Sequence, residues 1–213
     1  MVSGVGLESL QAHVDKLPKG LRRHVAAVVA EARRLARLHG VDEQRVVLAA
    51  WTHDIARAAR PKELLRQARE LGLRPNKVEK TAPILLHGPV AARLLATGYG
   101  VQDEDVLAVA RWHSTGRAGM SAVEKVVFLA DKVEPGKLES EPALVEVRQL
   151  AETDLDGAVL RYLDLQLLEV VRRGWLLHPD MLAARNELLL ARQGRVQASL
   201  RLRSRSPGPG GRS

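Results

Sequence analysis

The sequence predicts an all-α fold, and three observations carry that prediction. Apolar residues recur at three- and four-residue spacing through most of residues 1–190. No stretch shows the sustained alternation of a strand flanked by hairpin turns. Hydrophobic residues make up 46% of the chain but aromatics only 3%, so Leu, Val and Ala must fill the core, which suits helices packed on helices.

A first helix is expected over residues 6–17, punctuated by Pro18 and Gly20. The second, 21–38, closes at His39-Gly40, where glycine supplies a helix-ending residue. Asp42 is placed to cap a third helix running to about residue 58, and after Pro61 a short one ends at Leu71-Gly72. The two prolines of TAPILLHGPVAARLLATGYG put His87 on or beside a helix start, with Pro89 at an early position where its missing donor costs little. Residues 102–113 form the next helix and STGRAGM a loop. Ser121-Ala122-Val123-Glu124 then has the capping-box form that opens a helix through Val133. Further helices are expected at about 143–151, 154–173 and 181–192.

One domain, residues 1–191, accounts for this pattern. Residues 192–213, RQGRVQASLRLRSRSPGPGGRS, form a basic, Pro/Gly-rich tail that buries too little apolar surface to offset its ordering cost, so disorder is expected there. The chain's net charge is +8, but the tail holds six arginines and no acids, which leaves +2 for the body. The basicity therefore belongs mainly to the tail. There is no cysteine, which excludes disulfides, thiolate metal sites and cysteine nucleophiles, and leaves His and carboxylates as side-chain metal ligands. The opening MVSGVGLESLQAHVDKL lacks a basic segment followed by an apolar one, and no apolar run approaches membrane-spanning length. A cytoplasmic protein is expected.

Four histidines, His24, His53, His87 and His113, fall where a helix or its end would aim them inward, and Asp54 and Asp131 complete the candidate ligands. His53-Asp54 lies among Trp51, Ile55 and Ala56, and Asp131 follows the apolar run Val126 to Ala130. Buried polar groups in such surroundings are costly unless satisfied. Lys132, next to Asp131 on the same helix, points elsewhere and reads as structural, as do His13, His39 and His178.

The order His, His-Asp, His, His, Asp resembles the HD superfamily of metal-dependent phosphohydrolases, and within it the symmetrical bis(5′-nucleosyl)-tetraphosphatases of the YqeK family. The segments LLHGPVAA at 85–92, RWHSTGRAGMSAVEKVVFLADKVEPG at 111–136 and HPDMLAARN at 178–186 are similar to that family's own, and the likeness spans roughly residues 21–186. It implies a compact helical bundle with a metal site between helices. It also implies two metal ions, with His24, His53, Asp54 and Asp131 around one and Asp54 bridging to a second held by His87 and His113. Nitrogen and oxygen ligands suit iron, manganese, cobalt or zinc, and the family favours iron. The cations would acidify a water that attacks phosphorus, with Asp54 as the bridging catalytic ligand, and would neutralise charge on the polyphosphate.

The implied reaction is hydrolysis of diadenosine tetraphosphate, or a related dinucleoside polyphosphate, to two nucleoside diphosphates. Arg57 and Arg60, one and about two helical turns beyond His53, are candidate phosphate contacts, as are Arg117, Thr115 and the Gly116 amide in the loop after His113. The family pattern carries an arginine three residues before its first ligand histidine. This chain has Leu21 there, so the usual phosphate contact on that side is missing. Two other readings remain open from the residues: an HD-type nucleotidase or phosphodiesterase acting on another nucleotide, and a nucleic-acid- or ribosome-associated module using the Arg-rich tail. The tail's arginines allow salt-sensitive attraction to phosphate but have no interleaved aromatics to stack on bases.

Overall fold

The computed structural model describes residues 4–205, which hold twelve α-helices, one 3₁₀ turn and no strand. In chain order these are α1 (Gly4–Asp15), α2 (Lys19–His39), α3 (Glu43–Thr52), α4 (Pro61–Glu70), α5 (Lys77–Thr81), the 3₁₀ turn Pro83–Leu86, α6 (His87–Gly98), α7 (Glu104–Trp112), α8 (Ala122–Val133), α9 (Pro135–Ser140), α10 (Leu144–Ala151), α11 (Leu155–Arg172) and α12 (Pro179–Arg205). The all-α expectation holds. No helix among the described residues is long and apolar enough to cross a membrane.

Helix starts fall where the polar caps put them. Asp42 accepts the Arg45 amide at 3.1 Å. Ser121 and Glu124 form the expected capping box, each side chain taking the other's amide at 3.2 and 2.8 Å. Gly40 closes α2 at φ 63°, a left-handed conformation that favours glycine.

Four differences from the expected elements have local causes. The third helix stops at Thr52 rather than near residue 58, because side chains take its last carbonyls: the Thr52 hydroxyl donates to Leu48 O at 2.8 Å and the His53 ring to Ala50 O at 2.6 Å. The chain then advances in tight turns, with the Arg57 and Ala59 amides returning to Asp54 and Ala56, three residues back. The short helices α5 and α9 were too brief to show a period; α5 opens with a second capping box, Asn76 with Glu79. The last helix, expected to close near residue 192, runs on to Arg205 through a stretch made up mostly of Arg, Gln, Leu and Ala, which favour helix. The rest of the expected disordered tail, 206–213, lies outside the described residues.

The central element is α8. Every residue from Val123 to Val133 except Lys125 is buried, and the helix packs against α2, α3, α7, α10 and α11. Phe128 is 1% exposed and meets the Tyr162 ring of α11 edge to face at 5.4 Å. A polar side chain on α8 is therefore aimed into the protein, which is why Asp131 is buried.

Candidate metal centre

Three of the candidate histidines sit at helix ends, and that placement sets their chemistry. His53 follows α3, His113 follows α7, and His87 follows the 3₁₀ turn and opens α6. Each ring uses Nδ1 to reach the carbonyl three residues upstream, at Ala50 (2.6 Å), Ala110 (2.9 Å) and Ile84. These are carbonyls at the C-terminal end of a helical turn, which need a donor. A carbonyl only accepts, so Nδ1 carries the proton in all three rings and Nε2 presents a lone pair.

The lone pairs converge on Asp54. Its Oδ1 lies 3.2 Å from His87 Nε2 and 3.3 Å from His113 Nε2, while its Oδ2 lies 3.5 Å from His53 Nε2 and 3.8 Å from His24 Nε2. His24, from α2, also approaches Asp131 Oδ1 at 3.1 Å, and its Nδ1 stands 3.5 Å from Glu134 Oε1. All six expected residues thus meet in one cluster. Among the described residues, ligand atoms of His24, His53 and Asp131, and of His53, Asp54 and His113, lie within 4.8 Å of one another.

The electrostatics fit cations. His53 Nε2 and Asp54 Oδ1 are buried with no hydrogen-bond partner, and the Nε2 atoms of His87 and His113 face each other at 2.9 Å with their protons committed elsewhere. Burial drives the His113 imidazole down to about 4, so it stays an acceptor at neutral pH. Lone pairs packed this closely repel unless positive charge lies among them. A metal ion provides that charge, and donation of the second ring nitrogen to a backbone carbonyl is the usual support of a metal-binding histidine. Burial alone would raise Asp131, but Lys132, His24 and Lys137 hold its carboxyl well below the usual range. His24 is raised in turn: burial opposes its charge, and Asp131 outweighs that.

The cluster forms the floor of an open cavity of about 550 Å³, walled by Pro18, Leu21, Ala58, Ile84 and Leu85 and lined with the charged Arg57, Lys132 and Lys137. Of the five expected phosphate contacts, Arg57 lines this cavity. The other four are held elsewhere. Arg60 is exposed at the start of α4. Arg117 grips the buried Glu124 carboxylate through two bonds of 2.7 Å and stacks 4.8 Å from the Trp112 ring. Thr115 donates to Gly116 O at 2.9 Å, and the Gly116 amide donates to Trp112 O at 2.7 Å.

Four residues that sequence reasoning did not select reach the centre. Ser114 Oγ lies 3.1 Å from His113 Nε2. Glu134 backs His24. Lys132, expected to point away, curls back to Asp131 Oδ2 at 2.5 Å, and Lys137 meets Asp131 Oδ1 at 2.9 Å. The signal for the lysines was their length: a four-carbon stem spans one helical turn, so position on a helix does not fix where the charge ends. His178 is buried behind the site, accepting the Asp180 amide while Asp180 takes the Trp112 indole N–H at 3.1 Å, so the HPD segment braces the end of α7.

Comparison with known proteins follows the same lines. The HD-domain family model matches residues 21–136. The chain is 36% identical over 190 residues to the symmetrical bis(5′-nucleosyl)-tetraphosphatase of Halalkalibacterium halodurans, covering 89% of this chain and 98% of that one. It is 36% identical over 182 residues to the protein of the same name from Bacillus subtilis, covering 85% and 96%. The crystal structure of a predicted HD superfamily hydrolase involved in NAD metabolism, from Clostridium acetobutylicum, superposes with a TM-score of 0.81 at 28% identity, covering 87% of this chain and 97% of that one.

Proposed function

The chain belongs to the HD-domain family, among its symmetrical bis(5′-nucleosyl)-tetraphosphatases, and from that premise we propose that it hydrolyses diadenosine tetraphosphate, or a related dinucleoside polyphosphate, to two nucleoside diphosphates. The observation that supports this most is the set of Nε2 lone pairs that converge on Asp54 at the floor of a cavity that admits a polyphosphate. In this reading His24, His53, Asp131 and Asp54 would hold one cation, and His87, His113 and Asp54 would hold a second. Iron is the metal the family favours, with manganese, cobalt or zinc also suited to these ligands. When bound, two such cations lower the pKa of a water towards neutrality and withdraw charge from the phosphates.

The chain's own residues supply the rest. Asp54 turns Oδ1 toward His87 and His113 and Oδ2 toward His53 and His24, so it would serve both groups of ligands. Arg57, on the cavity wall, draws the anionic chain to the floor. Ser114, between His87 and His113, offers a hydroxyl beside the reacting phosphate. Pro18, Leu21, Ile84 and Leu85 give an apolar wall that suits a nucleoside rather than further phosphate. Leu21 is where this chain departs from the family pattern.

Removal and return of metal tests the reading. The chelated protein should be inactive on diadenosine tetraphosphate, and resupply of iron or manganese should restore turnover with ADP as the sole nucleotide product. Release of AMP with ATP, or turnover untouched by chelation, contradicts it.

A further inference from the structure

Resting on that reading, we propose that Lys137 is a substrate-binding residue that exchanges partners: it leaves the Asp131 carboxylate when the centre holds its cation and takes an anionic phosphate of the nucleotide. Asp131 carries two lysines, and the structure gives them different freedoms. Lys132 Nζ is 2.5 Å from Oδ2, its side chain is only 9% exposed, and the ammonium is packed 5.3 Å from the Phe128 ring and 5.8 Å from the Tyr162 ring. That side chain has nowhere else to go. Lys137, on α9, is 35% exposed and lines the cavity, with Nζ 2.9 Å from Oδ1 and 2.6 Å from the Asp131 carbonyl oxygen.

His24 selects which oxygen must be given up. Its Nε2 faces Oδ1, at 3.1 Å, the same atom that Lys137 holds. His24 and Asp131 Oδ1 would hold a cation between them, and its like charge would repel the Lys137 ammonium from that oxygen. Lys132 keeps Oδ2 and holds the carboxylate in place. The Asp131 carbonyl still anchors Lys137 through one of its three donors, which leaves two N–H groups at the edge of the cavity. There they meet the substrate's phosphates. Symmetrical cleavage leaves a nucleoside diphosphate, and its terminal phosphate is the group that Lys137 would hold.

The exchange is tested by calorimetric binding of ADP to the full chain, metal-free and manganese-loaded, for the wild type, Lys137→Met, Lys137→Gln and Lys137→Arg. With metal loaded, the Met and Gln variants should bind ADP about ten-fold more weakly, and the Arg variant should stay within about three-fold of wild type. Metal content should be unchanged in all of them. The KM for diadenosine tetraphosphate should rise by the same factor, with kcat within about two-fold, as expected for a contact present equally in ground and transition states. In the metal-free protein, where Lys137 stays on Asp131, the difference in ADP affinity should shrink below about two-fold. Equal ADP affinity in the loaded proteins overturns the proposal. Loss of metal from the Met and Gln variants also overturns it, because Lys137 would then be only a counter-ion of Asp131. If the wild type makes no ADP from diadenosine tetraphosphate while the loaded variants still bind ADP weakly, the phosphate role stands and the reaction assignment falls.

Discussion

Asp54→Ala is expected to empty both halves of the metal centre and to lower turnover of diadenosine tetraphosphate by at least about 10³-fold. Asp54 is the only group in the cluster that faces both sets of rings, Oδ1 toward His87 and His113 and Oδ2 toward His53 and His24. Without it, four imidazole lone pairs lose the negative charge that makes cation binding favourable. The pair His87 and His113 then has no carboxylate in contact. Elemental analysis of the purified variant should find well under one metal per chain, against about two for the wild type. A variant that keeps two metals and activity within ten-fold would remove Asp54 from the bridging position.

Gly88→Ala should separate the two halves. A Cβ at Gly88 would stand 2.7 Å from Arg111 O and 2.9 Å from Ala110 O, both rigid backbone atoms of α7. The methyl can be accommodated only if α6 moves off α7, which carries His87 away from His113 and disturbs Ala110 O, the carbonyl that orients the His113 ring. The expected cost is about 1–3 kcal/mol of stability, with a lower melting temperature. Metal content should fall toward one per chain, since His24, His53 and Asp131 lie on other elements. Gly20→Ala is the control: it is helical, has nothing within 4 Å of the added methyl, and should leave stability unchanged or slightly raised. Unaltered metal content and stability in Gly88→Ala would show that the α6 to α7 approach does not set the site.

Much of this was legible in the sequence, for identifiable reasons. The apolar period located the long helices, and Ser121 with Glu124 fixed the start of α8 because a capping box is local chemistry. His53-Asp54 and Asp131 were legible because an acid or a His-Asp pair inside an apolar run needs partners, whereas His24, His87 and His113 were legible mainly through the family's ligand order. What the sequence did not show depended on side-chain competition. His53 ends α3 because its own ring takes the carbonyl that the next turn would have used. Arg117 was expected at phosphate, but Glu124, read only as a cap, also captures its guanidinium. Lys132 and Lys137 reach the centre through long flexible stems whose ends no periodicity predicts. The short helices α5 and α9 hold too few residues to display a period.

The central claim is water attack at the middle anhydride of a dinucleoside tetraphosphate at this metal centre. Its most direct test is to run the reaction in ¹⁸O-labelled water and analyse the nucleotides by mass spectrometry. The account predicts ADP alone, with half of the ADP molecules carrying one ¹⁸O in the terminal phosphate. Labelled AMP or ATP, or ADP without label, would contradict it.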